Sequence, residues 1–213
     1  MKLDSIRSFF SALPNLPGEF DSLSFEQLPA APESLIASIE SNLGFRIPSE
    51  LREFLLQSEA LVFQYGWEPP ETLHSESKQL GLGEFIHGGG KIDGKCFCDD
   101  FNECQKYANE SWLNEDEYRE DQTVWLNTLP FLKMRNGDYL GLDLKTEKVN
   151  YLSHDADSFQ ISNSFSEFLE CWSHLGYIEP EHWILEPFLN DNRILGTASE
   201  NQRLAIEKLF AIT

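Results

Sequence analysis

Apolar residues first fall into helical spacing at Leu3, Ile6, Phe10 and Leu13, which predicts an amphipathic helix over residues 3–13. Residues 14–32 contain Pro14, Pro17, Gly18, Pro29 and Pro32 and read as an extended connector. Leu35, Ile39 and Leu43 then recur at helical spacing, Ile36 widens the stripe, and Gly44 stands where a helix end takes positive φ. Pro48 suits the first turn of a second helix, whose inward face is Leu51, Phe54 and Leu55. These two helices form a corner of core residues. Leu61 to Trp67 reads as a strand ended by Pro69-Pro70, and Leu82 to Ile86 as another; His87-Gly88-Gly89-Gly90 reads as a flexible loop.

Asp100 with Glu103 forms a capping box for a helix carrying Phe101, Cys104, Ala108 and Trp112. Val124 to Met134 and Tyr139 to Leu144 read as strands joined at Asn136-Gly137, a pair that tolerates positive φ, and Val149 to Leu152 adds a third. Residues 124–152 are thus expected to form an antiparallel meander. Ser164 with Glu167 caps a helix whose Phe165, Phe168, Leu169 and Trp172 share one face, and Gly176 ends it. Pro180 to Leu189 reads as a short helix. Thr197 with Glu200 caps a last one bearing Leu204, Lys208 and Leu209. The chain shows no internal repeat and no low-complexity tract.

Composition narrows the functional classes. A chain of 213 residues with 41% hydrophobic and 13% aromatic content builds a real core. Its 36 acidic residues against 16 basic ones leave a formal charge of -20, which repels phosphate backbones and anionic lipid and favours a basic protein partner. Neither nucleic acid nor membrane is an expected partner. Asp4 and Arg7 interrupt any signal-peptide core at the N-terminus, and the expected location is the cytoplasm with reduced thiols. Charge is densest from Asp99 to Asp121, where nine acidic and two basic residues leave a net of -7.

No catalytic or cofactor signature emerges. Cys96, Cys98 and Cys104 lack the paired spacing and nearby histidine of a zinc site, and buried thiols account for them; Cys96 and Cys98 would share one side of a strand. The His87-Gly88-Gly89-Gly90 run is similar to an esterase oxyanion loop, but the chain has no Gly-x-Ser-x-Gly turn to supply a nucleophile. Ser153-His154-Asp155 names the residue types of a triad, yet consecutive strand residues alternate faces. His154 with Asp157 offers a His-x-x-Asp pair for a cation, for which exposed loop carboxylates are the simpler account. The expectation is a non-enzyme without metal or cofactor.

One ordered set of motifs goes further. It comprises Leu43-Gly44-Phe45-Arg46-Ile47-Pro48, Leu129-Pro130-Phe131, Asn136-Gly137-Asp138 before Leu140-Gly141-Leu142-Asp143, and Ser164-Phe165-Ser166-Glu167-Phe168-Leu169. In this order, from about Glu33 to Gly176, the chain resembles the SUKH superfamily, which includes yeast cell-wall-synthesis regulators and bacterial toxin-immunity proteins. The resemblance implies a single α+β domain with a mixed or mainly antiparallel sheet packed against helices, which agrees with the meander. The expected organisation is an N-terminal helix and connector over 1–32, a core over 33–176 and a C-terminal helical extension over 177–213.

By the resemblance, the expected function is an immunity protein that neutralises a toxin, often a nuclease in this family; the alternative is a regulatory or scaffolding role of the cell-wall-regulator type. The expected binding residues are Asp99, Asp100, Glu115, Asp116, Glu117, Tyr118, Glu120, Asp121, Asp138 and Asp143, with Trp112, Tyr118 and Trp125 as aromatic anchors.

Overall fold

The computed structural model describes residues 3–196 and 200–210. The first half of the chain runs α1 (Leu3–Ala12), β1 (Glu19–Gln27), α2 (Glu33–Leu43), α3 (Ser49–Leu55), β2 (Ala60–Glu68), α4 (His74–Gln79) and β3 (Ile86–Asp93). Then come α5 (Phe97–Glu110), α6 (Arg119–Leu126), β4 (Thr128–Lys133), β5 (Tyr139–Asp143), β6 (Val149–Leu152) and β7 (Phe159–Ser162). The described chain closes with α7 (Phe165–His174), α8 (His182–Leu185) and α9 (Glu200–Phe210). The fold is α+β, with two antiparallel sheets ordered β1-β2-β3 and β4-β5-β6-β7. The chain divides into two compact units, one of Met1–Glu26, Val62–Gly90 and Leu169–Thr213, the other of Gln27–Leu61 and Lys91–Phe168.

The first unit is held by aromatic rings. Phe63 lies 5.4 Å from Trp172 and 5.7 Å from Tyr177, and Phe10 lies 5.2 Å from Phe63. Their few polar atoms find partners: Tyr65 donates its hydroxyl to the Gly176 carbonyl at 2.8 Å, and Trp172 its Nε1–H to Ile178 at 2.7 Å. A buried Tyr or Trp without such a partner would cost desolvation with no return.

The second unit carries the meander. β4, β5, β6 and β7 pair antiparallel in sequence, with Leu129 opposite Leu142 and Leu140 opposite Tyr151. The turn sits at the expected place: Gly137 alone takes positive φ, at 96°, and Asn136 accepts the Asp138 N–H at 3.1 Å. The α2–α3 corner is as the spacing predicts, with Leu51, Phe54 and Leu55 fully buried and Gly44 at φ 78°. Phe165 bridges the corner to the sheet, 5.9 Å from Phe54 and 4.9 Å from Phe131. The Ser164 cap also holds, accepting the Glu167 N–H at 3.1 Å. The Thr197–Glu200 cap lies outside the described residues.

Several local expectations are corrected. The connector over 14–32 holds β1, because the stretch between Gly18 and Pro29 has no proline and is free to pair with β2. His87–Gly90 is not a loop but part of β3, and Leu82–Phe85 lies outside the strand. Glycine is there for space: a Cβ on Gly88 would fall 2.1 Å from a Tyr65 ring carbon, and one on Gly89 2.3 Å from the Phe63 carbonyl oxygen. Val124 to Leu126 closes α6 instead of opening a strand, which seats Trp125 in the core. The helix expected to start at Asp100 starts at Phe97, so Asp99 and Asp100 lie in its first turn, where carboxylates complement the macrodipole. Cys98 therefore lies in a helix and not on a strand.

Candidate functional site

The densest acidic stretch rests on an aromatic floor. Cys104 and Ala108 of α5 are buried with Leu113, Trp125, Tyr139 and Leu152, and Tyr107, Trp112 and Tyr118 pack against that cluster. Trp112 donates its Nε1–H to the Tyr107 hydroxyl at 3.0 Å and to the His154 carbonyl at 3.2 Å. Tyr118 stands edge-on to Trp112 at 4.5 Å. The short helical turns Trp112–Asn114 and Asp116–Tyr118 then lead into α6. Above this floor Glu115, Asp116, Glu117 and Glu120 are exposed. Arg119, within the same stretch, is paired with Asp116. A shallow open recess is lined by Asp116, Glu117, Arg119, Glu120 and Thr123.

Two members of the stretch are less available. Tyr118 is half-buried, and its phenol is held up in pKa by its hydrogen bond with Glu117 and by the acids around it. Asp121 accepts the Ser158 N–H at 2.8 Å through Oδ1, while its buried Oδ2 has no hydrogen-bond partner among the described residues. Burial pushes the Asp121 carboxyl up. Its role is to tie α6 to the loop after β6.

The other expected binding residues lie apart from this face. Asp99 and Asp100 sit at the far end of α5, a helix of 14 residues and hence about 20 Å long. Asp99 is exposed; Asp100 is half-buried at a cavity of about 140 Å³ shared with Lys91, Asp93, Cys96, Phe131 and Lys133. Burial pushes the Asp100 carboxyl up. Asp143 is a turn acceptor, taking the Thr146 N–H at 2.7 Å and the Lys145 N–H at 3.1 Å.

Asp138 faces inward, with 1% of its surface exposed. Its Oδ1 accepts the His154 N–H at 2.9 Å and contacts His154 Nδ1 at 2.7 Å; its Oδ2 accepts the Tyr151 hydroxyl and the Asn136 amide, each at 2.6 Å. Burial alone would raise the Asp138 pKa, but these hydrogen bonds outweigh it and hold the carboxyl below its ordinary value.

Asp138, His154 and Asp155 form the one set of three metal-type donors that converges among the described residues, with ligand atoms within 4.8 Å of one another. A cation there would have to displace donors already bonded to Asp138. Ser153 bonds Asp155 at 3.1 Å and not His154, so the triad string builds no nucleophile. Cys96, Cys98 and Cys104 do not converge: Cys96 accepts from Lys91 Nζ at 3.4 Å, Cys98 faces the Ile39 carbonyl at 3.8 Å, and Cys104 is buried. Burial drives the Cys104 thiol well above its ordinary pKa.

Sequence reasoning missed Tyr107, which links α5 to the His154 carbonyl. Its position, three residues after Cys104 and beside Ala108 on the apolar stripe, was the available signal. Among the described residues no helix is long and apolar enough to cross a membrane.

A family model described as SMI1/KNR4 family (SUKH-1) matches residues 30–171. No curated protein matches the chain. The matched stretch includes the α2–α3 corner, the meander and the acidic face.

Proposed function

Because the chain belongs to the SMI1/KNR4 family (SUKH-1), we propose that it is a non-enzymatic protein-binding module, an immunity protein that neutralises a toxin. The observation that carries the reading is the exposed carboxylates of Glu115, Asp116, Glu117 and Glu120, mounted on a floor of packed aromatics. A rigid anionic face complements the basic cleft of a protein that handles nucleic acid. Long-range attraction then raises the encounter rate, and the half-buried Trp112 and Tyr118 supply contact area near the charges. A basic toxin domain, such as a nuclease, is the partner this surface fits.

The test begins with affinity capture from the native host, identification of the captured protein, and assay of its toxic activity with and without the chain. Immunity requires that activity to fall on binding; a partner with no toxic activity overturns the reading in favour of a regulatory role. A variant with Glu115→Gln, Asp116→Asn, Glu117→Gln and Glu120→Gln leaves the structural Asp121 intact. Association at low salt is expected to slow at least about tenfold, with a flatter salt dependence. An unchanged rate in stopped-flow would mean that these carboxylates only solvate the surface.

A further inference from the structure

We propose that the outer edge of β1 is a docking site for an extended, basic segment of another protein, which joins the first sheet as an additional strand. This inference goes beyond the acidic face and does not rest on it.

β1 is terminal in its sheet: β2 occupies one side, and among the described residues no strand joins the other. The strand is 9 residues long and none of them is buried, whereas β2 buries 6 of its 9. Natural edges of this length are protected by charged side chains, lysine above all, or by proline, bulges or shortness, and the charges of β1 are all acidic. Between Glu19 and Gln27 there is neither lysine nor proline. The strand is nevertheless pinned in place, since Phe20 stacks on Trp67 at 6.1 Å and Phe25 lies 5.6 Å from Phe10. A preformed edge with outward backbone donors and acceptors is the template that strand addition uses, and it leaves only the incoming segment to be ordered on binding.

Charge selects the occupant. The charged side chains of β1 are Glu19, Asp21 and Glu26, all exposed, and Leu23 between them is 39% exposed. A second copy of this chain would set acids opposite acids across the new ladder, which is destabilising. An incoming strand with a basic residue at every second position would instead set those residues on the exposed face beside the three carboxylates, their methylene stems covering Leu23, and turn its apolar residues inward. The net charge of -20 draws such a segment in and keeps two copies apart.

The probe is an acetylated peptide of about nine residues alternating lysine and valine, a length matched to the edge. Its control carries the same lysines with proline in place of valine, and so loses every second amide donor and is locked at a φ that an antiparallel ladder does not take. Hydrogen exchange on the full chain should slow at residues 19–27 with the first peptide and not with the second. A variant with Glu19→Gln, Asp21→Asn and Glu26→Gln should bind the valine peptide about tenfold more weakly.

Ser22→Pro and Leu23→Pro add a backbone test. Neighbouring amides point to opposite edges, so one of the two removes an outward donor and leaves the β2 ladder intact. The variant that stays folded by circular dichroism should lose peptide binding; if neither folds, the charge variant and the proline peptide decide. Equal protection by both peptides, or protection confined to residues 115–121, overturns the proposal. So does concentration-dependent dimerisation that protects the β1 amides, which would make a second copy the occupant.

Discussion

Asp138 shows how much one inward carboxylate can do. It gathers the Tyr151 hydroxyl, the Asn136 amide, and the backbone and ring of His154 around a single buried group. Asp138→Asn keeps the shape but turns one acceptor into a donor facing donors. The expected cost is about 2–4 kcal/mol, read as a lower urea midpoint. The pH dependence follows from the depressed folded pKa. Between that value and the unfolded value of about 3.9, the unfolded chain binds more protons, so stability rises with pH across the window. The contribution of Asp138 is thus complete above about pH 4 and lost as pH falls through the folded value. Acid titration of the parent should show this loss, and the Asn variant a shallower one; parallel curves would remove Asp138 from the account. The structural role of this side chain is not legible in the sequence, where it is one acid among 36. Its direction is set by Tyr151 and His154, whose approach only the folded meander creates.

At the scale of elements, two glycines separate two physical demands. Gly44 ends α2 at φ 78°, and a methyl group added there would meet nothing within 4 Å, so Gly44→Ala should cost only the left-handed conformation, about 1 kcal/mol. Gly88 lies under the Tyr65 ring, and Gly88→Ala forces a side chain into occupied space, for about 3 kcal/mol. Thermal melts of the two variants should rank in that order; the reverse order would contradict the packing of β3 on Tyr65. The same contrast explains what the sequence reveals and what it hides. α1, α2, α3 and α7 carry their apolar stripes and stop signals within their own residues, so they are legible. β1 and β3 are strands because of their neighbours, not their composition, and the glycines of β3 point to a loop. α6 buries chiefly Trp125 and shows no stripe, so its last residues read as the start of β4. The acidic face is visible as a charge run, but a 14-residue helix separates Asp99 and Asp100 from it, and spacing along the chain hides that distance.

For the whole molecule, the charge of -20 is itself a term in stability. Self-repulsion opposes compaction, and added salt shortens the Debye length from about 30 Å at 10 mM to well under 8 Å at 0.5 M. The melting temperature should therefore rise by a few degrees over that range, about 1 kcal/mol for a chain of this size. A fall would mean that specific ion pairs, such as Lys133 with Glu103 at 2.7 Å, outweigh the general repulsion. The path of the chain carries a further consequence, this time for synthesis. The first unit is gathered from Met1–Glu26, Val62–Gly90 and Leu169–Thr213, and Phe9 meets Tyr177 at 5.3 Å and Phe210 at 5.8 Å. Contacts so distant along the chain carry the loop-closure cost of long separations and form late. On the ribosome, α1, β1 and β2 emerge early and must wait with their aromatic side chains uncovered until the last stretch arrives. Residues 91–168, already contiguous, have their partners at hand. The interval between these events is when a nascent chain of this protein most needs a chaperone.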